Sequence, residues 1–550
     1  MAKDYYRKIK IMEKRTLLAV ALSIIILVAF SYFSPQKPVQ KQEEPQPAES
    51  KAEGQIKKEE KPSVQAEAAI PAVQPLPSEE KEIKVETDLY SAVFTTKGGT
   101  FKKWELKKFT DSVSKKPIQL LPPDAPIPPI SIILEGQPMD SPQKPEYIYN
   151  ADKDAIIFDS KTNEGALEFF YTDPSGFSIK KTFTFYKDSY KVDLTTEAKG
   201  IKSYYVVLGS EFGISDKKGT WVHIGPVLLN DSKKVDIDVS NIEGIGFFQR
   251  YITGRKSKDE ITYQGNIWWI AHEDKYFAAA LASLSKTNDA KIWKWGEESK
   301  NHGVEIAYKV EGEQGKFLLY AGPKKDEILK PLNVGLEHMI DFGTFSIIAR
   351  PLFWLLKFLY KVMGNYGWAI IFLTILTRIP FIPLLNKSQK SMKKLQDIQP
   401  HMAEIKEKYK KDPQKMQKEM MGLYKKHKVN PVGGCLPMLI QLPVFLALYQ
   451  ILLIAIELRG APFFLWITDL SVKDPYYVFP ILMGATMVIQ QKITPTAMEP
   501  LQAKMMMFMP IIFTFMFLSF PAGLVLYWLV NNILGIAQQV YVNKKSKKPA

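Results

Sequence analysis

The sequence predicts a polytopic helical membrane protein that carries a large all-β domain on one side of the bilayer. Three observations lead there. Residues 17 to 33 form an apolar run without charge, residues 83 to 330 alternate apolar and polar side chains with period two, and from 345 to 541 long apolar stretches dominate. A chain of 550 residues has room for three or four folding units. Its 73 Lys and Arg against 58 Asp and Glu give a formal net charge of +15, which points to an anionic partner such as nucleic acid, ribosome or lipid headgroup. The one cysteine, Cys435, excludes an intrachain disulfide and every multi-cysteine metal or iron–sulfur site. With neither a GxxxxGK[ST] nor an HExxH sequence, an enzyme is disfavoured.

The first 16 residues contain Lys3, Arg7, Lys8, Lys10, Lys14 and Arg15, so they belong on the cytoplasmic side of the run that follows. The run itself, 17 to 33, has no A-x-A-like cleavage site after it and reads as an uncleaved anchor. Residues 34 to 82 are rich in Pro, Glu, Lys, Gln and Ala, too polar to bury a core, and form a flexible linker. Between 83 and 330, stretches such as Ile179, Phe183 and Phe185, interrupted by Lys181, followed by Tyr190, Val192 and Leu194, read as half-buried antiparallel strands. Turn signals at Gly98-Gly99 and Asp173-Pro174-Ser175-Gly176 make this region a many-stranded sandwich. An anchor that starts in the cytoplasm places that sandwich across the membrane. Its histidines, His223, His272 and His302, show no catalytic spacing and read as structural.

Residues 345 to 362 mix Arg350, Lys357 and Lys361 with large aromatics, the pattern of an amphipathic helix in the membrane interface. Five spans are then predicted at 367 to 385, 436 to 456, 476 to 491, 505 to 520 and 524 to 540; with the anchor, six helices cross. The segment 387 to 430 holds thirteen lysines, which assigns it to the cytoplasm, and six spans from an inside start put the basic tail 542 to 550 inside as well. Apolar residues at three and four residue steps, broken at Asp412-Pro413, make 387 to 430 a helical hairpin with Asp412 as N-cap. Its basic outer face suits ribosomal RNA, anionic lipid or simply water.

Arg378 lies inside a predicted span, roughly 13 Å from Lys387 at ~1.5 Å per residue, too deep for comfortable snorkelling. Thr374 is one turn away on the same face. Gln441, Gln490, Gln491, Asn531, Asn532, Gln538 and Gln539 fall at mid-depth or toward the cytoplasmic leaflet, and the outer halves are far less polar. A wet cleft entering from the cytoplasm and stopping part-way, with Arg378 as its charge, accounts for that distribution better than a through-pore. The Met- and Phe-rich run 505 to 520 could serve as an adaptable binding surface.

Three strings carry a family likeness: NPVGGCLPMLIQLPVFLALYQ at 430 to 450, ELRGAPFFLWITDLSVKDPYYVFPILMG at 457 to 484 and FPAGLVLYWLVNN at 520 to 532. They resemble the YidC-type membrane protein insertases over roughly residues 345 to 541, and the anchor with its β-rich domain resembles the Gram-negative form with a periplasmic β-supersandwich. The resemblance implies a five-helix insertase core within 367 to 541 and a chaperone for nascent membrane proteins in the lipid bilayer. It further implies action alone or beside the Sec translocon and no cofactor; ribosome contact through the hairpin and tail is expected from their basic charge. It implies that Arg378, Thr374 and Gln441 line the substrate groove and that Phe445, Met516, Tyr527 and Trp528 contact substrate. Trp528 departs from the tyrosine pair of that family's motif, so only Tyr527 keeps a hydroxyl there. Two other classes compete: an ion-coupled transporter, for which intramembrane carboxylates are missing, and a membrane-tethered periplasmic scaffold.

Overall fold

The computed structural model describes residues 79–545 except 112–113, 124, 138, 140–146, 216–221, 238–241, 243–258, 285–288, 297–301, 411, 428–435 and 494–499. The expected anchor, the linker up to residue 78 and the last five residues of the tail lie outside the described residues.

Nineteen strands among the described residues form three sheets of five, nine and five strands. The nine-stranded sheet is the spine. Within it Ser178–Tyr186 pairs antiparallel with Lys191–Lys199, which pairs with Gln314–Pro323, and Phe277–Ser283 follows on the far side. Period-two alternation sets the faces: along Ser178–Tyr186 every second residue is buried, and Ile179, Phe183 and Phe185 enter one aromatic core with Phe94, Phe101 and Trp104.

Lys181 occupies one of those inward positions and is fully buried. Its ammonium donates to the carbonyls of Gly98, Gly99 and Ile130 at 2.7, 3.3 and 2.7 Å and sits 5.2 Å from the Tyr149 ring. Burial pushes its pKa down to about 7. The lysine therefore ties two loops to the sheet from within the core. Lys181→Met is expected to strand three carbonyls and to destabilise the β domain by about 3 kcal/mol or more. The urea midpoint of tryptophan fluorescence of the full chain measures this; an unchanged midpoint contradicts it.

His272 is buried, and desolvation drives its pKa down to about 3. His223 Nε2 lies 3.1 Å from the Pro226 carbonyl.

The helical part contains α1 (Ser346–Met363), α2 (Tyr366–Arg378), α3 (Ile382–Asp397), α4 (Gln399–Lys408), α5 (Pro413–Lys426), α6 (Leu436–Ile454), α7 (Val478–Ile493), α8 (Pro500–Phe517) and α9 (Ala522–Lys545). Boundaries differ from those expected where local chemistry decides. Pro380 and Pro383 lack N–H groups, so α2 ends at Arg378 and a 3₁₀ turn, Ile379–Phe381, carries the chain into α3. Pro500 opens α8, five residues before the expected start. Asp412 caps α5 through Lys415 N at 3.0 Å. Leu395, Ile398 and Met402 pack against Met420, Leu423 and Tyr424 of α5.

Two described helical stretches, Tyr366–Leu395, in which α2 runs through the 3₁₀ turn into α3, and Ala522–Lys544, are long and apolar enough to cross a membrane; Gln441–Ile454, Val478–Ile493 and Met507–Phe517 are shorter apolar helices. Helix α1 keeps Phe353, Leu356 and Leu359 buried and turns Ile347, Trp354, Phe358 and Val362 outward, a two-faced helix. Beyond the far end of α6, Ile456 joins the core of the β domain. Arg459 donates to the Thr110 carbonyl at 2.8 Å and lies over the rings of Tyr276 and Phe277.

Candidate functional groove

Helix α9 supplies the centre of the site because Asn531 and Gly535 are four residues apart and share a face. Arg378, at the end of α2, reaches across to it: Nη1 donates to the Asn531 backbone carbonyl at 2.5 Å and to its Oδ1 at 3.1 Å. Gln441 of α6 donates to the same Oδ1 at 3.1 Å. One side-chain oxygen thus joins three helices. Gly535 completes the arrangement by what it lacks: a Cβ there would stand 3.0 Å from Gln490 Nε2 and 3.3 Å from Arg378 Nη2.

The electrostatics follow from these partners. Arg378 is half-buried, and its partners among the described residues are neutral oxygens, with no carboxylate in ion-pair range. Its Nε is buried and has no partner among the described residues. Carbonyl dipoles solvate the guanidinium without cancelling its charge, so the site keeps a net attraction for an anionic group.

One helical turn away along both α6 and α9, the chemistry changes. Phe445 follows Gln441 by four residues, and Tyr527 precedes Asn531 by four. Phe445 stacks on Tyr527 with centroids 6.1 Å apart and meets Trp528 edge-on at 4.7 Å; Trp528 extends the cluster to Phe513 and Phe517 of α8. A layer of amides and one cation is therefore backed by a layer of rings.

Of the residues expected from sequence, Arg378 and Gln441 meet through Asn531, and Phe445, Tyr527 and Trp528 meet each other. Thr374 joins neither layer. It is buried and its hydroxyl donates to the Ile370 carbonyl of its own helix at 2.7 Å, the usual back-bond of a helical threonine. Met516 is 45% exposed on the outer face of α8, while its neighbour Phe517 turns inward. Tyr527 is only 3% exposed, so the half-buried Phe445 and Trp528 present more surface.

The remaining amides divide by role. Asn532 Nδ2 donates to Thr486 Oγ1 at 3.2 Å, fastening α9 to α7, and Gln538 Nε2 donates to Asn386 Oδ1 at 2.9 Å, fastening α9 to α3. They hold helices together rather than sharing one cleft with Arg378. Gly535 is the member of the site that sequence reasoning missed; the available signal was a glycine one turn beyond an intramembrane asparagine. No group of three or more potential metal ligands occurs among the described residues.

Both halves of the chain match known families. Residues 358–549 match the family described as 60Kd inner membrane protein, and residues 82–355 match the YidC periplasmic domain. The membrane protein insertase YidC of Geotalea uraniireducens is 41% identical over 552 residues, covering 97% of this chain and 99% of that protein. Its counterpart from Syntrophus aciditrophicus is 41% identical over 576 residues, covering 97% and 100%. A crystal structure of an active YidC insertase with its first transmembrane domain resolved is 20% identical, with a TM-score of 0.35 and coverage of 85% of this chain and 94% of that one. Identity of two fifths that runs through both the β domain and the helical part, from one end of each relative to the other, identifies the chain as a member of the YidC family of membrane protein insertases, inner-membrane proteins with a periplasmic β domain.

Proposed function

We propose that the protein inserts nascent membrane proteins into the inner membrane, and that the layer formed by Arg378, Asn531 and Gln441 receives the polar or acidic segment that a substrate must carry across. The observation that supports this most directly is a guanidinium within an apolar helix whose partners among the described residues are neutral oxygens. Six spans are proposed, the described helices together with the segment 17 to 33, with both termini in the cytoplasm. The hairpin containing α4 and α5 and the basic tail then face the ribosome, and the Sec translocon can stand beside the core.

In this mechanism an acidic segment enters from the cytoplasmic side and pairs with Arg378, while the apolar helix of the substrate partitions into lipid beside α6 and α8. The distance left to cross in hydrocarbon is shortened by the depth of the groove. An outside-positive potential assists, because each negative charge moved outward gains ~2.3 kcal/mol per 100 mV. No covalent step and no nucleotide is required. Phe445 and Trp528 contribute by lining the apolar end.

Liposomes containing the protein and a single-span substrate test the reading. Arg378→Ala is expected to slow insertion of a substrate with an acidic outer tail by about tenfold, the scale of one charge-assisted contact, and to spare the same substrate with a neutral tail. Equal insertion of both tails by the variant and the parent overturns the role. Arg378→Lys is expected to recover only part, because an ammonium lacks the planar fork.

A further inference from the structure

Two large apolar side chains stand outward in the segment between α6 and α7: Phe464 is 62% exposed and Leu465 69%. Hydrogen bonds shape the turn that carries them. Phe463 N donates to the Ile467 carbonyl at 2.9 Å, Ile467 N to the Phe464 carbonyl at 3.2 Å, and at the base Leu470 N to the Ala461 carbonyl at 3.0 Å. Leu465 has a left-handed backbone, φ 53°, a conformation that glycine adopts freely and leucine does not. Strain kept at an exposed leucine points to a use for its side chain.

Asn365, the N-cap of α2, ties this turn to the helix. Its Oδ1 accepts from Gly367 N and Trp368 N at 2.8 and 3.2 Å, while its Nδ2 donates to the Pro462 and Phe463 carbonyls at 3.2 and 3.1 Å. The Phe463 ring lies against Gly367, where any Cβ would collide with it. Helix end and turn are thus one rigid piece.

The tip continues an apolar surface of α2, which belongs to a stretch long and apolar enough to cross a membrane. Every exposed residue of α2, Trp368, Phe372 and Leu376, is apolar, and their spacing of four puts them on one face. Trp368, at the outer end of that stripe, meets Phe463 edge-on with centroids 5.7 Å apart. The same segment touches the periplasmic β domain, where Arg459 donates to the Thr110 carbonyl, so the turn belongs at the periplasmic end of α2.

We infer that Phe464 and Leu465 form a finger inserted among the acyl chains of the periplasmic leaflet, and that through Asn365 it pins the outer end of α2 and so fixes the depth of Arg378. Helix α2 is 13 residues long. At ~1.5 Å per residue that is ~20 Å, about two-thirds of a ~30 Å hydrocarbon core. Anchored at the outer boundary, the helix delivers its guanidinium to the inner half. The inference rests on the reading that α2 spans the bilayer.

Cys435 is the one cysteine, so in a Cys435→Ser background a single cysteine is placed by Phe464→Cys, Phe372→Cys or, in an exposed turn, Ser175→Cys. Each full chain is labelled with nitrobenzoxadiazole and reconstituted in liposomes. At position 464, quenching by aqueous iodide is expected to be lost relative to position 175. Nitroxide lipids are expected to quench it instead, more when the nitroxide is near the headgroup than near the chain end. At position 372 the deeper nitroxide is expected to dominate. Iodide reaching 372 shows that α2 does not span, and the underlying reading fails. Lipid quenching at 372 with iodide reaching 464 overturns the finger alone. Protection of 464 that appears only with a single-span substrate, or only at high protein-to-lipid ratio, assigns the tip to a passenger or a second copy and overturns it too. Pinning is tested by Leu465→Asp with the label at 372: as the charged tip leaves hydrocarbon and draws α2 outward, quenching is expected to shift toward the shallower nitroxide. Leu465→Gly, which relieves the backbone and removes the side chain, is expected to shift it the same way. An unchanged balance in both variants overturns the depth role.

Discussion

Gly535→Leu is expected to reduce insertion of acidic-tailed substrates to the level of Arg378→Ala. The leucine side chain starts at a point 3.0 Å from Gln490 and 3.3 Å from the Arg378 guanidinium, so it must push one or both aside. Displacing Arg378 breaks its bonds to the Asn531 carbonyl and side chain, and the freed oxygen then holds only Gln441. Overpacking of this kind costs about 1–3 kcal/mol in stability. The functional loss is separate from that cost. In a double-mutant cycle, Arg378→Ala combined with Gly535→Leu is expected to insert no worse than either single variant, because both remove one interaction. Additive losses show that Gly535 acts elsewhere. Gly535→Ala, with a smaller intrusion, is expected to fall between the leucine variant and the parent.

Asp474→Ala is expected to cause the largest loss of stability in the helical part, about 4 kcal/mol. Asp474 is 1% exposed in the segment between α6 and α7. Its Oδ1 accepts from Trp466 Nε1 and Tyr476 N, both at 3.0 Å, and its Oδ2 accepts from Phe479 N at 2.8 Å. One carboxylate thus organises the loop and satisfies an orphan N–H in the first turn of α7. The residue directly before α7, Tyr477, has a left-handed backbone with φ of 57°, a strained state for tyrosine that the surrounding bonds must hold. Asp474→Asn keeps one oxygen and is expected to lose about half as much. Thermal unfolding of the full chain in detergent, followed by tryptophan fluorescence, measures both; a melting temperature for the alanine variant equal to the parent's contradicts the assignment.

The division into a β domain and a helical part was legible because each carries its own pattern, period two in Ser178–Tyr186 and a long apolar run in α6 interrupted only by Gln441 and Gln450. Arg378 was legible because a charge in such a run has few ordinary explanations. Its partner was not. Asn531 stood out as polar, but which of several amides it meets depends on how α2, α6 and α9 rotate against one another, and no local pattern records that. Gly535 was hidden for a simpler reason: its contribution is an absent side chain. Thr374 shares a helix face with Arg378, but sequence did not record that its hydroxyl bonds back to the Ile370 carbonyl of its own helix. Which way Met516 turns was not legible, because a run rich in Met and Phe has no distinct apolar face to tell inward from outward. Lys181 broke the strand pattern in sequence, and the reason became visible only when Gly98, Gly99 and Ile130, from distant parts of the chain, were seen converging on it.

The neutral oxygens around Arg378 belong to helix backbone and to an amide fixed by Gln441, so their dipoles are oriented before any ligand arrives. Water around a free cation must reorganise each time its counter-ion changes, and these groups need not. The free energy of arranging that small solvent shell is spent once, when the chain folds, and successive passengers meet the same ready field.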